Sequence, residues 1–530
     1  MQKKLTIFDT TLRDGAQAEE ISFSIEDKLK ILKALDNLGV RYIETGNPGS
    51  NPKDLEFFRS INSIKLKHAK LTAFGSTRRQ NVQAEDDSNI QVLLKANTPA
   101  VAIFGKSWDF HVTKVIKTTL EENTKMIRDT IAFFNKNDKE VIFDAEHFFD
   151  GYKSNPKYAL ETLQAAVDGG ADWLVLCETN GGAFPDEVFE ITKDVVKQFS
   201  IPIGIHCHND GGMAVANSIM AVEAGATQVQ GTFIGFGERC GNANLSTIIP
   251  NMQLKKGYIC IPQDQMIKLT STARYIAEIS NIAVNNRMPY VGKSAFAHKG
   301  GMHIDGVNKV TRSFEHIEPE KVGNERRFLM SEISGRSAIL KTIQKVDPEL
   351  TRDSPETQQI IDHLKKLEHS GYQFEAAESS FELMVRKQLG KYKPFFRLEH
   401  FSIIDKQPAQ NSDASASAIL KINVDGKQEI TGAEGDGPVN ALDKALRKAL
   451  EVFYPELKNV RLTDFKVRVL NPKMATAAKV RVLIETTDGN DIWTTVGVST
   501  DIIDASWIAL VDSIEHKLLK DIEKKFKAFA

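Results

Sequence analysis

Cysteine is scarce in this chain: four among 530 residues (Cys177, Cys207, Cys240 and Cys260), with no Cys-x-x-Cys pair. That excludes a disulfide framework and a zinc ribbon, and it fits a reducing compartment. No apolar run approaches the length of a membrane span. Neither sign of charge dominates; 68 basic and 70 acidic residues are interspersed and leave a net charge of −2. A nucleic-acid groove and a polybasic membrane patch are therefore excluded. The opening string MQKKLTIFDTTLRDG enters a strand-like run almost at once, leaving no room for a signal peptide. The expectation is a cytoplasmic protein with neither nucleic acid nor membrane as partner. What is present is an ordinary globular composition, 41% hydrophobic and 26% charged. The length calls for two or three domains.

Eight short β-rich runs recur in the first half: Leu5–Asp9, Tyr42–Thr45, Leu71–Gly75, Val101–Gly105, Val141–Glu146, Trp173–Glu178, Ile203–His208 and Gln228–Phe233. Segments with helical spacing lie between them, among them Ile25–Leu38, Lys157–Asp168 and Asp186–Phe199. Alternating β and α segments imply parallel strands with helical crossovers. Eight units predict a (β/α)8 TIM barrel, whose active site lies at the C-terminal ends of its strands. An open doubly wound sheet is the alternative, but its Gly-rich phosphate turn is missing after the first strand, which continues Thr11-Leu-Arg-Asp.

The strand ends gather ionisable groups. Strand 1 leads into Arg13 and Asp14, strand 2 ends in Glu44, strand 5 in Glu146 and His147, and strand 6 in Glu178 and Thr179. Strand 7 carries His206 and His208, which point to one face while Cys207 points away. Strand 8 leads through Thr232 into a loop containing Arg239 and Asn242. Singly, each is as readily a solvated charge or a capping group; together they read as a site, with one carboxylate and two imidazoles for a divalent metal.

Residues 277–395 read as mostly helical, with a Gly-containing loop that carries His298 and His303. Taken alone, such histidines are more often surface or core residues than catalysts. Residues 396–530 read as two βββα halves, an internal duplication. Strands are expected at Phe396–Ile404, Ala418–Val424 and Glu429–Thr431 before a helix at Val439–Val452. The order repeats at Arg461–Leu470, Ala478–Glu485 and Ile492–Val498 before a helix at Ile502–Leu519. The stretch Pro408–Ser417 reads as a mobile loop, and Gly432–Gly437 as a ligand loop or a strand-to-helix turn. The expected domains are a barrel at 1–276, a helical subdomain at 277–395 and a C-terminal module at 396–530.

Three strings together, Asp9-Thr-Thr-Leu-Arg-Asp-Gly15, His206-Cys-His-Asn-Asp210 and Gly235-Phe-Gly-Glu-Arg-Cys-Gly-Asn242, resemble the α-isopropylmalate, homocitrate and citramalate synthases. The similarity runs over the whole chain, and it identifies the C-terminal module with the duplicated regulatory, dimer-forming domain of that family. Phe104–Val112 and Asp144–Lys153 resemble the citramalate synthase branch. The resemblance implies condensation of acetyl-CoA with a 2-oxo acid, pyruvate in that branch, followed by thioester hydrolysis in isoleucine biosynthesis. It implies a metal (Mn, Mg, Zn or Co) on Asp14, His206 and His208, with Asn242 as fourth ligand. It further implies Arg13 at the keto oxygen, Glu146 and Thr179 at the 2-oxo acid, and His303 in proton transfer. Thr232, at the same rim, is a further substrate-binding candidate. A homodimer and feedback by isoleucine complete what the resemblance implies.

Strand 6 departs from the family, reading Cys-Glu-Thr-Asn-Gly where many relatives have Asp-Thr-Val-Gly; this puts the seat of the substrate carboxylate in doubt. Two residues remain candidates for the base, His303, which is favoured, and Glu146. Phe74, Phe104 and Trp108 are either pocket walls suited to a methyl group or core residues. Alternatives are a 2-isopropylmalate synthase, a C–C lyase of the same superfamily, a non-haem iron oxygenase and a non-catalytic amino-acid sensor.

Overall fold

A computed structural model of the protein describes residues 3–49, 52–61, 64–282, 284–329, 336–351, 353–374, 377–406, 415–470, 472–489 and 491–529. Eight parallel strands close into a barrel in chain order. They are β1 (Thr6–Asp9), β2 (Tyr42–Glu44), β3 (Lys70–Ser76), β4 (Ala100–Lys106), β5 (Glu140–Glu146), β6 (Trp173–Glu178), β7 (Ile203–Cys207) and β8 (Gln228–Gly231). Closure is made by β1 against β8, with Asp9 opposite Gly231. The TIM barrel expected from the alternating pattern is the fold; the open sheet is ruled out.

Strand parity divides the apolar residues into two sets. Ile7, Ile43, Val101, Ile103, Val141, Phe143, Leu174, Ile205 and Val229 pack outward in a large core with the surrounding helices. Phe8, Tyr42, Ala100, Ala102, Ile142, Val175 and Cys177 form a second cluster within the barrel. Residues two further along the inward rows, Glu44, Phe104 and Asp144, and Glu146 after a further two, therefore belong to the interior and its mouth. The crossover helices show ordinary local causes. Ser24 and Asp27 form a reciprocal capping box at the start of Ile25–Leu38, and Gly39 ends that helix at φ 96°.

Two compact units are present: residues 1–296 with 317–326, and residues 297–316 with 327–530. The segment expected as a separate helical subdomain at 277–395 is divided between them. Residues 277–296 share the barrel's core, where Ala277, Tyr290, Val291 and Phe296 are buried. In the second unit, the helices Arg336–Val346, Pro355–Ser370 and Glu378–Gln388 enclose Ile343, Ile360, Leu364, Phe374 and Phe381. A short pair, β9 (Ala297–His298) and β10 (Arg327–Phe328), precedes them.

The duplicated βββα organisation is present. Strands β11 (Arg397–Lys406), β12 (Ser415–Val424) and β13 (Lys427–Gly435) form one antiparallel sheet. Strands β14 (Arg461–Val469), β15 (Val480–Thr487) and β16 (Ile492–Ser499) form the other. Each sheet is followed by a helix, Pro438–Leu450 and Ile502–Phe529. Leu420, Ile422, Leu442 and Leu446 of one half share a core with Val482, Ile484, Leu510 and Ile514 of the other.

Three readings change here. Ser415–Ser417, expected in the mobile loop, begin β12, and the remainder of that loop lies outside the described residues. Gly432–Gly435 continue β13, because Thr431 to Gly435 pair residue by residue with Leu420 to Ala416. That leaves Asp436 and Gly437 as a strand-to-helix turn. The last helix runs ten residues beyond its expected end at Leu519. Among the described residues no helix is long and apolar enough to cross a membrane.

Candidate active site

The first strand hands over to a tight turn in which the N–H groups of Arg13, Asp14 and Gly15 all donate to the Thr10 carbonyl. Asp9 shapes this turn. Its carboxylate accepts from the N–H and the hydroxyl of Thr11 at 2.9 and 3.0 Å, and burial pushes its pKa up to about 7. Arg13 leaves the turn toward the mouth. Its Nε donates to Glu44 Oε2 at 2.6 Å, its Nη1 lies 3.2 Å from Asp14 Oδ2, and its guanidinium lies 3.8 Å from the centre of the Phe74 ring. A buried carboxylate and an aromatic face thus fix the cation's plane.

Asp14, His206 and His208 converge. Their ligand atoms all lie within 4.8 Å of one another, and all three residues are buried. Asp14 Oδ2 is 3.4 Å from His206 Nε2 and 3.9 Å from His208 Nε2. His208 lies one residue beyond the end of β7, and an isolated antiparallel bridge sets Asn242 opposite it. Asp14 Oδ1, His208 Nδ1 and both side-chain polar atoms of Asn242 are buried without a hydrogen-bond partner. Native structures rarely leave such atoms unsatisfied. Two imidazole nitrogens, a carboxylate and an amide oxygen fit a divalent cation.

The electrostatics agree with that donor set. Burial by itself raises the Asp14 pKa, but the Arg13 guanidinium and His206 outweigh it and hold the carboxylate well below its usual range. Burial pushes His208 down to about 4, helped by His206, so it is neutral with a lone pair to offer.

A cavity of about 240 Å³ opens over these groups, and Arg13, Asp14, Glu146, Thr179, His206 and His208 all line it. Phe74 and Phe104 form an apolar wall, their rings stacked with centroids 5.2 Å apart. Glu146 is ion-paired with Lys106, and the Thr179 hydroxyl accepts from the His147 N–H at 2.9 Å.

Two expectations are corrected. Thr232 does not line the cavity; it is fully buried, and its hydroxyl donates to the Phe236 carbonyl at 2.6 Å, holding the turn after β8. Trp108 stands apart from the cavity wall and stacks on His111 at 5.1 Å between centroids. His298 is buried and paired with Glu315 at 3.0 Å. His303 belongs to the second unit, exposed on the helix Gly301–Lys309 with its ring stacked on Phe314.

Two interior polar residues beside the site, Asp144 and Gln230, are not among the residues singled out by sequence. Asp144 lines the cavity, fully buried, and burial with the nearby Glu44 pushes it up to about 7. Gln230 lies inside the barrel against His206. The signal for both was parity: Asp144 precedes Glu146 by two in β5, and a glutamine pair, Gln228 and Gln230, faces inward from β8. Glu178, counted at the rim, instead accepts from the N–H groups of Gly182 and Ala183.

Residues 4–279 match the HMGL-like family, 290–371 the homocitrate synthase post-HMGL domain-like family, and 375–518 the LeuA allosteric (dimerisation) domain. An (R)-citramalate synthase of Aquifex aeolicus is 53% identical over 99% of each chain. One from Geobacter sulfurreducens is 51% identical over 98% of each chain. A probable 2-isopropylmalate synthase of Methanopyrus kandleri is 31% identical, over 97% of this chain and 99% of its own.

Proposed function

This chain belongs to the (R)-citramalate synthase family, and from that premise we propose that it condenses acetyl-CoA with pyruvate and hydrolyses the resulting thioester to (R)-citramalate. The observation that carries the reading is the convergence of Arg13 on the buried Asp14–His206–His208 cluster beneath a small aromatic-walled cavity. Identity separates the citramalate synthases, at 42–53%, from the 2-isopropylmalate synthases, at 29–31%.

Asp14, His206, His208 and Asn242 would hold a divalent cation, which would supply Lewis acidity for the keto oxygen. Arg13, permanently charged and clamped by Glu44, faces the oxygen that becomes an alkoxide as the new C–C bond forms. Thr179 and Glu146 orient the 2-oxo acid, and the Phe74–Phe104 wall limits its R group. The candidates for the base that takes the acetyl proton are His303, which the family resemblance favours, and Glu146, which is ion-paired with Lys106. His303→Gln is expected to lower kcat by about 10²–10⁴ while leaving cation affinity unchanged. Glu146→Gln should mainly raise the KM for the 2-oxo acid. A His303→Gln enzyme with near-native kcat would transfer the role of base to Glu146.

CoA release with pyruvate, 2-oxobutyrate, 2-oxoisovalerate and 2-oxoglutarate tests the assignment. Preference for pyruvate supports it; preference for 2-oxoisovalerate makes the enzyme an isopropylmalate synthase. The aromatic wall adds a finer expectation. A methylene is worth about 1–3 kcal/mol in a pocket, so Phe104→Ala should raise kcat/KM for 2-oxobutyrate relative to pyruvate by about tenfold or more. An unchanged ratio would remove Phe104 from substrate selection. The same reading makes the enzyme a homodimer through its C-terminal module, with isoleucine as feedback ligand.

A further inference from the structure

Beneath the three convergent residues lies a polar chain that the proposed chemistry does not use. His206 Nδ1 faces Gln230 Oε1 at 3.0 Å, and Gln230 Nε2 donates to Asp144 Oδ1 at 3.1 Å. Gln228 Oε1 is a further acceptor, 3.4 Å from Gln230 Nε2. All of these side chains are buried inside the barrel. Two acceptors, Asp144 Oδ1 and Gln228 Oε1, lie on one side of the Gln230 amide, which turns its nitrogen toward them and its oxygen toward His206. His206 Nδ1 is then the donor, and Nε2 presents its lone pair to the side where Asp14 and His208 stand.

We propose that Gln230 and Asp144 form a positioning relay that selects the tautomer of His206 and thereby sets the centre's affinity for a divalent cation. The inference rests on the reading of Asp14, His206 and His208 as a metal centre. It adds two residues that touch none of the cation's ligand atoms except through the far nitrogen of one ring. Groups that orient a ligand imidazole in this way are worth about 10–100-fold in metal affinity. Asp144 occupies both structures at once, lining the substrate cavity on one side and anchoring the amide on the other.

Titration of the full-length, metal-stripped protein with Mn²⁺ or Zn²⁺ by calorimetry tests the relay, together with ¹⁵N NMR of histidine-labelled protein. The His206 resonance is assigned by its loss in His206→Gln. Gln230→Leu should weaken cation binding by about 10–100-fold and move His206 from the Nδ1–H tautomer to a mixture. Asp144→Asn alone should give an intermediate loss, because the new amide both donates and accepts. The pair Asp144→Asn with Gln230→Glu reverses the donor while keeping the shape, and should return affinity and tautomer to the native range. If Gln230→Leu does not fold, the last two variants carry the test. Native affinity and an unchanged tautomer in Gln230→Leu would overturn the relay alone. Failure of the double variant to recover would equally overturn it. A native protein that binds no cation, or binds as well after His208→Leu, would instead overturn the metal-centre reading beneath it.

Discussion

Replacing Asp14 by asparagine is expected to lower kcat/KM by about a thousandfold or more. The substitution keeps the side chain's size and removes its charge. Asp14 is the one carboxylate of the cluster, with Oδ2 3.4 and 3.9 Å from the two imidazole nitrogens. It is also the member whose ionisation the site protects, held low by the Arg13 guanidinium against the effect of burial. A bound cation is worth several kcal/mol of transition-state stabilisation, and about 4 kcal/mol corresponds to a thousandfold in rate. Steady-state CoA release, measured across a range of Mn²⁺ concentrations, checks the result. Recovery at high cation would make Asp14 a determinant of affinity only. Activity above a tenth of native at low cation would remove it from the ligand set.

Arg13→Lys is the second large effect, about 10²–10³ in kcat, or about 2.7–4 kcal/mol. Positive charge is retained, so the loss isolates geometry. The native guanidinium uses Nε for Glu44, its face for Phe74 and Nη1 for the Asp14 side. An ammonium is a point charge on a flexible stem and cannot satisfy all three while facing the keto oxygen. The check is kcat with pyruvate, beside calorimetric cation affinity, which should be unchanged. A kcat within threefold of native would mean that stabilisation of the developing alkoxide does not depend on Arg13.

The clustering of Asp14, His206 and His208 and the ionisable rim were legible because the βα repeat fixes where strands end, and TIM-barrel sites lie at those ends. Asp14, His206 and His208 needed only that rule and strand parity to be brought together. Thr232 satisfied the same rule and failed, because the turn after β8 takes its hydroxyl for the Phe236 carbonyl. Trp108 failed for a similar reason: the chain after β4 folds into a short helical turn at His111–Val115 and draws the ring into a local aromatic cluster. Hydrogen-bond partners of this kind lie in the loop's own path, which hydrophobic period does not encode.

What the sequence determined by itself was the order of elements, the closed barrel, the duplicated C-terminal halves and the residue types at the mouth. Each of these follows from local periodicity and from motifs within one segment. Only the tertiary structure decided which interior groups meet across the barrel. Closure of β1 on β8, with Asp9 opposite Gly231, joins the first strand to the last. Curvature brings Asp144 of β5 and His206 of β7 onto the same amide of Gln230 in β8. Asp144 is 86 positions and His206 24 positions from Gln230 along the chain. Their contact is set by shear and register around a closed sheet, a property of all eight strands and of none alone.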